Sequence, residues 1–239
     1  NKAKVAYFAG CMTHLTPGII VSMKQIFDAS GDNWVFIDEK GGACCGRPLK
    51  IAGEQDAAFN LMNFNKDLIK KSGAEVLVTS CPICLKIFKD DYKLDIEVLH
   101  HSQYINNLLN DGKLNINKSD SYSIVYHDPC ELGRGLNIYD EPRNVLQNFG
   151  SLVETNFSKN KSLCCGGSLG NTHTTDEDRE KIALNAFNNL TSSSPDLLIT
   201  SCPLCKKTFK RFGNNNVKDI AELVFEQLKV EVKADKVFS

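Results

Sequence analysis

The cysteines of this chain occur twice in the same order. Cys11, Cys44, Cys45, Cys81 and Cys84 are answered by Cys130, Cys164, Cys165, Cys202 and Cys205, displaced by 119, 120, 120, 121 and 121 positions. Two single-residue insertions bring all ten into register. The flanks agree as well: LVTSCPICLKIFK at 77–89 and LITSCPLCKKTFK at 198–210 share nine of thirteen residues. Chance can supply one matching CxxC, but not five cysteines and this flank. The chain is therefore read as a duplication, with halves at 1–115 and 120–239 and the polar segment 110–120 as the linker. Whatever one half folds into, the other must also form, and each must gather five cysteines spread widely along it.

Within each half, strand-like and helix-like patterns alternate. The first half offers a strand over 4–10 ending at Cys11 and a helix opening at Thr16-Pro17, with Ile20, Met23, Ile26 and Phe27 on one face. A strand over 33–37 leads to Cys44-Cys45-Gly46. A helix over 55–72 carries Ala58, Leu61, Met62, Leu68 and Ile69 on one face, and Gly73 stands as its C-terminal cap. A strand over 75–79 runs to Cys81. Pro82 suits a first helical position, which makes Cys81 an N-cap and puts Cys84 in the first turn. The positive helix end then favours thiolates at both. A strand at 97–99 and a helix at 101–109 complete the half. The second half repeats the order: strand 123–127, helix 140–149, strand 152–157, helix from Thr175 with Ile182, Ala183, Ala186, Phe187 and Leu190 buried, strand 196–200, and a closing strand and helix over 217–229. Thr175 and Asp178 bracket their helix start like a capping box.

This alternation predicts an α/β fold. Two pseudo-twofold-related, Rossmann-like βαβ halves would each hold a small parallel sheet, with cysteines at the carboxyl ends of the strands. That sheet edge is where ligands sit in open α/β folds, so five cysteines of each half are expected to converge there.

Composition limits the rest. A net charge of −1 gives no electrostatic case for nucleic acid or an anionic membrane. No apolar run is long enough for a spanning helix. The start, Asn1-Lys2-Ala3-Lys4, shows neither a signal peptide nor an initiator Met, so the expected location is cytoplasmic and the sequence reads as trimmed or excised from a longer chain. In such a reducing compartment ten cysteines point to thiolate chemistry rather than disulfides, and an odd five per half could not pair internally. Zinc needs four ligands about one point, and adjacent cysteines do not easily fill two corners of one tetrahedron. An iron–sulfur centre has several irons, so a vicinal pair can serve two of them. Iron–sulfur is the leading reading; zinc, or empty thiols in an aerobically prepared sample, is the alternative.

The spacing C-x32-CC-x35-C-x2-C, repeated as C-x33-CC-x36-C-x2-C, with glycine after each vicinal pair, resembles the cysteine-rich CCG-domain family. His127-Asp128-Pro129-Cys130, Leu132-Gly133-Arg134 and the stretch from Ile138 to Arg143 are similar to that family's second repeat. Its members include the B and D subunits of heterodisulfide reductase and the iron–sulfur subunits of glycolate oxidase, anaerobic glycerol-3-phosphate dehydrogenase and lactate-utilisation complexes. The resemblance implies two noncubane 4Fe–4S clusters, one on Cys11, Cys44, Cys45, Cys81 and Cys84, the other on Cys130, Cys164, Cys165, Cys202 and Cys205. It also implies an oxidoreductase of the heterodisulfide reductase type, working as a subunit or domain of a larger complex and reducing a disulfide between its clusters. Electrons would arrive from a ferredoxin-like iron–sulfur or flavin subunit, which could hold the chain at the membrane periphery. The alternative is an electron-transfer subunit of a 2-hydroxy acid or glycerol-3-phosphate dehydrogenase complex, passing electrons to quinone or another carrier. The sequence departs from the family in two places: Glu131 stands where a histidine is common, and the ferredoxin-like module that precedes the repeats in many relatives is missing.

Four further side chains are candidates. Arg47 and Arg134 lie close to cysteines in sequence and could bind an anionic substrate or donate to sulfides, or simply form salt bridges. His14 and His127 could supply protons, or be satisfied structural histidines. Gly42, Gly46, Gly166 and Gly167 would let the backbone approach an inorganic core.

Overall fold

The computed structural model describes residues 3–40, 44–167, 173–213 and 216–229. In chain order the first half runs β1 (Val5–Phe8), α1 (Cys11–His14), α2 (Pro17–Ser30), β2 (Trp34–Phe36), α3 (Arg47–Ile51), α4 (Gln55–Ser72), β3 (Val76–Thr79), α5 (Pro82–Asp90), β4 (Glu97–His100) and α6 (His101–Asn110). The second runs β5 (Tyr122–His127), α7 (Gly133–Leu136), α8 (Asp140–Leu146), β6 (Gly150–Leu152), α9 (Asp176–Leu190), β7 (Leu197–Thr200), α10 (Pro203–Phe212), β8 (Val217–Asp219) and α11 (Ile220–Glu226). Each half forms a four-stranded parallel sheet, in the orders β2-β1-β3-β4 and β6-β5-β7-β8. The α/β expectation and the duplication hold.

Strand alternation decides the layers. On β1, Tyr7 points into a core that both halves share, while Phe8 points into an outer core built mainly by the first half, which Leu132 and Ile138 join from the second. The shared core draws Met23 and Phe27 from α2, Val145, Leu146 and Phe149 from the second half, and Leu223 and Val224 from α11. There α2 packs on α11 and α6 on α8. Truncating a fully buried phenylalanine such as Phe27 would cost about 3–5 kcal/mol, so this layer joins the repeats firmly. Each half also has an outer core, and the cysteines belong to these. Cys45, Cys81 and Cys84 pack with Phe8, Leu77 and Phe88, and Cys165, Cys202 and Cys205 with Val125, Leu198 and Phe209.

Helix ends follow local chemistry. Gly73 caps α4 in the left-handed region at φ 68°. Pro82 and Pro203 start α5 and α10, with Cys81 and Cys202 as the N-caps. The Thr175 hydroxyl accepts the Asp178 N–H at the start of α9.

Several expectations are corrected. The strand placed at 152–157 is β6, Gly150–Leu152: after Val153 the backbone leaves the sheet because Glu154 is drawn to Arg143 and Ser158 closes a turn on Thr155. The helix placed at 140–149 ends at Leu146. Ile19 is buried in α2 while Ile20 is only half-buried. Ile182 on α9 is partly exposed, since Ala183, Ala186 and Leu190 already fill that face. The linker is less polar in space than in sequence: Leu114 and Ile116 enter the shared core, and Ile116 bridges to Leu228. Among the described residues no helix is long and apolar enough to cross a membrane. Gly42 lies outside the described residues.

Candidate metal centre

In each half the first cysteine follows the carboxyl end of the first strand, the CxxC follows the third, and the vicinal pair arrives on the loop between. Their thiols are electrostatically coupled in the same order in both halves. In the first half the order runs Cys11 to Cys44, Cys44 to Cys45, Cys45 to Cys84 and Cys84 to Cys81. In the second it runs Cys130 to Cys164, Cys164 to Cys165, Cys165 to Cys205 and Cys205 to Cys202. Burial is graded alike. The second vicinal cysteine and the CxxC pair are buried, while Cys11, Cys44, Cys130 and Cys164 are half-buried and form the rim.

The electrostatics repeat too. Donation from Cys11 and Cys45, with the Gly46 N–H at 3.5 Å, holds the Cys44 thiol down at about 2. Donation from Cys130 and Cys165, with the Gly166 N–H at 3.4 Å, does the same for Cys164, again to about 2. Their neighbours are pushed up: Cys45 and Cys165 each reach about 12 because they donate to that first vicinal sulfur. Cys81 lies below its ordinary value through donation from Cys84 and the N–H groups of Cys84 and Ile83, as a helix N-cap should. Cys84 lies well above it, because it donates to Cys45 and Cys81 and is buried. The two CxxC cysteines of the first half thus shift in opposite directions.

The supports of the two vicinal loops differ. In the first half Asn65 on α4 donates to the Cys44 carbonyl at 2.8 Å, and the Tyr92 hydroxyl donates to the Cys45 carbonyl at 3.0 Å. Asp38 grips the turn before Cys11 by accepting the N–H groups of Ala9 and Gly10, both at 2.8 Å. Gly10 is at φ 78°, and a Cβ there would lie 2.8 Å from the Cys84 sulfur. That makes Gly10 the glycine that lets backbone approach sulfur. Gly46 and Gly166 serve instead as left-handed turns, at φ 89° and 80°. In the second half the buried Asp128 takes Arg143 in a two-pronged bond at 2.7 and 2.8 Å and accepts the Lys159 N–H at 2.7 Å. Arg143 also holds Glu154 at 2.6 Å.

The remaining sequence candidates have structural partners. His127 is buried and neutral, burial pushing it below the usual histidine range; its Nε2 donates to the Leu163 carbonyl at 3.1 Å. Arg134 donates to the Ser162 carbonyl at 2.5 Å. Both hold the irregular segment leading into Cys164. His14 pairs with Asp38 at 3.2 Å. Arg47 bridges to Glu131 at 2.8 Å, joining the first half's vicinal loop to the residue after the second half's first cysteine. At the matching junction Met12 follows Cys11 and lies across a cleft from Gly166 and Gly167. No ion pair forms between these residues, and the cleft, of about 280 Å³, is also lined by Leu204, Lys207 and Arg211. Asn65 carried a sequence signal, a polar residue on an otherwise apolar helix face, and so did Gly10, placed between strand and cysteine. Tyr92 and Asp38 carried none, because their partners are distant in sequence; Asp128 and Arg143 lay in the stretches that resemble the family's second repeat, but nothing there paired them.

Two parallel α/β repeats, each bringing five cysteines to one sheet edge, define a duplicated cysteine-rich protein. Residues 5–89 and 124–210 each match the model of the cysteine-rich CCG domain, and the chain belongs to that family. It is 28% identical to the D subunit of the dihydromethanophenazine:CoB–CoM heterodisulfide reductase of Methanosarcina mazei, across 98% of this chain and 61% of that protein. It is 30% identical to an uncharacterised iron–sulfur protein of Methanocaldococcus jannaschii, across 92% of this chain and 44% of that one. The chain thus spans about three fifths of the length of the heterodisulfide reductase protein. Among solved structures, a hypothetical protein from Helicobacter pylori matches the fold with a TM-score of 0.62 at 11% identity, over 95% of this chain and 49% of that one.

Proposed function

We propose that this chain is an iron–sulfur module of an oxidoreductase complex. Each set of five cysteines holds a 4Fe–4S cluster, and a disulfide or similar two-electron acceptor is reduced between the repeats. The observation that carries the proposal is the same order of coupled thiols, with the same grading of burial, in both halves. A single ion gathers its ligands around one point. A row of five thiols, by contrast, suits several irons. The fifth thiol favours a noncubane shape. The names of the relatives support the same cofactor class and a place in a larger assembly whose other subunits supply electrons.

Bound clusters would supply one-electron steps. The chain's residues do the rest. Cys45, Cys81, Cys84, Cys165, Cys202 and Cys205 keep the inner ligands dry, and the rim cysteines face outward. The cleft between Met12 and Gly167 admits a substrate beside the second set, where Lys207 and Arg211 suit an anionic disulfide. The Arg47–Glu131 bridge closes the other junction, which favours a relay role for the first set and keeps a second reading in view: a carrier passing electrons to quinone without cleaving a disulfide. Anaerobic purification followed by iron and sulfide analysis and electron paramagnetic resonance tests the cofactor; about four irons per repeat are expected, and zinc in their place overturns the proposal. Mixing the reduced protein with an anionic disulfide separates the two roles: thiol release marks a reductase, and its absence with quinone reduction intact marks a relay.

A further inference from the structure

The two junctions between the halves correspond position by position. Each sets the residue after one half's first cysteine against the residue after the other half's vicinal pair and its glycine. At one junction these are Glu131 and Arg47, at the other Met12 and Gly167. Beyond each CxxC stand Lys86 and Asp90 on α5, matched by Lys207 and Arg211 on α10. Charge is handled differently at the two. Glu131 reaches from the second half to the first set: its carboxylate takes Arg47 at 2.8 Å, and it lies within electrostatic reach of the buried Cys81. Arg47 belongs to the same set, its N–H donating to Cys45. Lys86 runs beside Glu131, since a Cβ on Gly135 would lie 3.2 Å from Glu131 Oε2 and 3.6 Å from Lys86 Cδ; its ammonium takes Asp90 at 2.9 Å. Two cations and two carboxylates thus offset one another beside the first set.

At the second set the same four positions hold two cations and no carboxylate. Met12 stands where the glutamate does. Gly167 leaves no room for an arginine, because a Cβ there would run into the Thr208 hydroxyl and Leu204. Lys207 is exposed, without an ion-pair partner among the described residues. Arg211 meets Asp176 at 3.6 Å, with both side chains largely exposed, where water weakens the contact. Arg134 adds a third cation, donating to the Ser162 carbonyl ahead of Cys164, where the first half has Leu15. Around the first cysteine of each half the balance is equal. Asp38 beside His14, and the Asp128–Arg143–Glu154 set, each carry one carboxylate more than arginine or lysine.

We propose that this difference sets the direction of electron flow. Glu131 keeps the surroundings of the first centre neutral, Lys207 and Arg211 leave those of the second positive, and the second centre therefore has the higher reduction potential. The proposal rests on the iron–sulfur reading above. An added electron is an added negative charge, which nearby cations stabilise and carboxylates oppose, the more so away from water. A donor iron–sulfur or flavin subunit supplies electrons singly at the first set. Each passes to the second, the first being reoxidised as the second is reduced, with no bond made or broken. The acceptor is met at the second set, where the cleft opens. Two passes and two protons from water turn a disulfide into two thiols. Glu131 touches no substrate in this scheme; it acts across the junction on the potential of the other half's centre.

The test is a redox titration of the anaerobic, iron-loaded protein followed by electron paramagnetic resonance. Cys45→Ser and Cys165→Ser assign the midpoints, since each leaves one set complete. The second midpoint should be the higher. Glu131→Met, which copies the other junction, should raise the first midpoint and leave the second where it is, while Glu131→Asp should keep the native order. Equal or reversed midpoints, or a first midpoint unmoved by Glu131→Met, overturn the inference and leave the iron–sulfur reading standing. A chain without iron overturns both. Should Glu131→Met lose its first centre, the double variant Lys207→Gln, Arg211→Gln decides, because both side chains are exposed and the fold does not depend on them. Its second midpoint should fall towards the first, and an unmoved second midpoint overturns the proposal.

Discussion

The two vicinal loops carry the same sulfur arrangement on different supports. In the first half the loop is held from behind: Asn65 and Tyr92, on and after the helices that follow it, bind the carbonyls of Cys44 and Cys45. In the second half Ala186 takes the place of Asn65 on the buried helix face, and Gly213 takes that of Tyr92, the Phe187 ring lying where a side chain would go. There the loop is held from in front, by His127, Arg134 and Ser162. His127 itself matches Phe8: each ring meets a phenylalanine edge-on, Phe209 and Phe88 respectively. The ligand geometry is thus common to both repeats while its means of support is not. What must be kept is where five sulfurs go, and any buried donor aimed at the loop carbonyls can keep it.

The comparison can be broken most severely at Gly10. Gly10→Ala puts a carbon into the Cys84 sulfur and strains a left-handed residue, so the first set should lose its iron while the second keeps its own. Pro129→Ala, at the matching position, should leave iron content unchanged, and metal analysis of the two variants distinguishes them. Next comes Arg143→Ala, which leaves the Asp128 carboxylate buried without its partner. A loss of about 3–5 kcal/mol is expected in denaturant unfolding, with the second centre more easily bleached. Tyr92→Phe removes one buried hydrogen bond to the Cys45 carbonyl and should cost about 1–3 kcal/mol, with the first centre the weaker one. Asn65→Ala should act in the same direction.

The smallest effect is one of pH. Burial depresses His127, so its contribution is full above the ordinary histidine value of about 6.5 and is lost as pH falls from there towards the folded value. Arg143 holds Glu154 below the usual glutamate range, so that contribution is lost only at still lower pH, as it falls through the folded value. Asn65 does not titrate, and burial pushes Tyr92 further from the acid range. Acid should therefore loosen the second loop before the first. Amide exchange, corrected for intrinsic rate, should rise at Gly166 before Gly46; equal rises would show that His127 does not govern its loop.

Much of this was readable in sequence where the signal is local or repeated. The duplication, the alternation of strands and helices, Gly73 as a cap and Cys81 as an N-cap all follow from spacing and short-range chemistry. The end of β6 was not readable, because it is set by Arg143 drawing Glu154 away from the sheet. Nor were the roles of Arg47 and His127, which depend on Glu131 across the repeat junction and on the Leu163 carbonyl. Glu131 stood out in sequence as a departure from the family's second repeat, and its partner Arg47 gives that departure a physical setting.

The central claim is that each row of five thiols holds its own iron–sulfur centre. Its most direct test is a pair of substitutions, Cys45→Ser and Cys165→Ser, each read by anaerobic iron and sulfide analysis and by electron paramagnetic resonance. The account predicts that each variant loses or converts one centre, that the two residual spectra differ, and that together they rebuild the native one. Native iron content and an unchanged spectrum in either variant would contradict it.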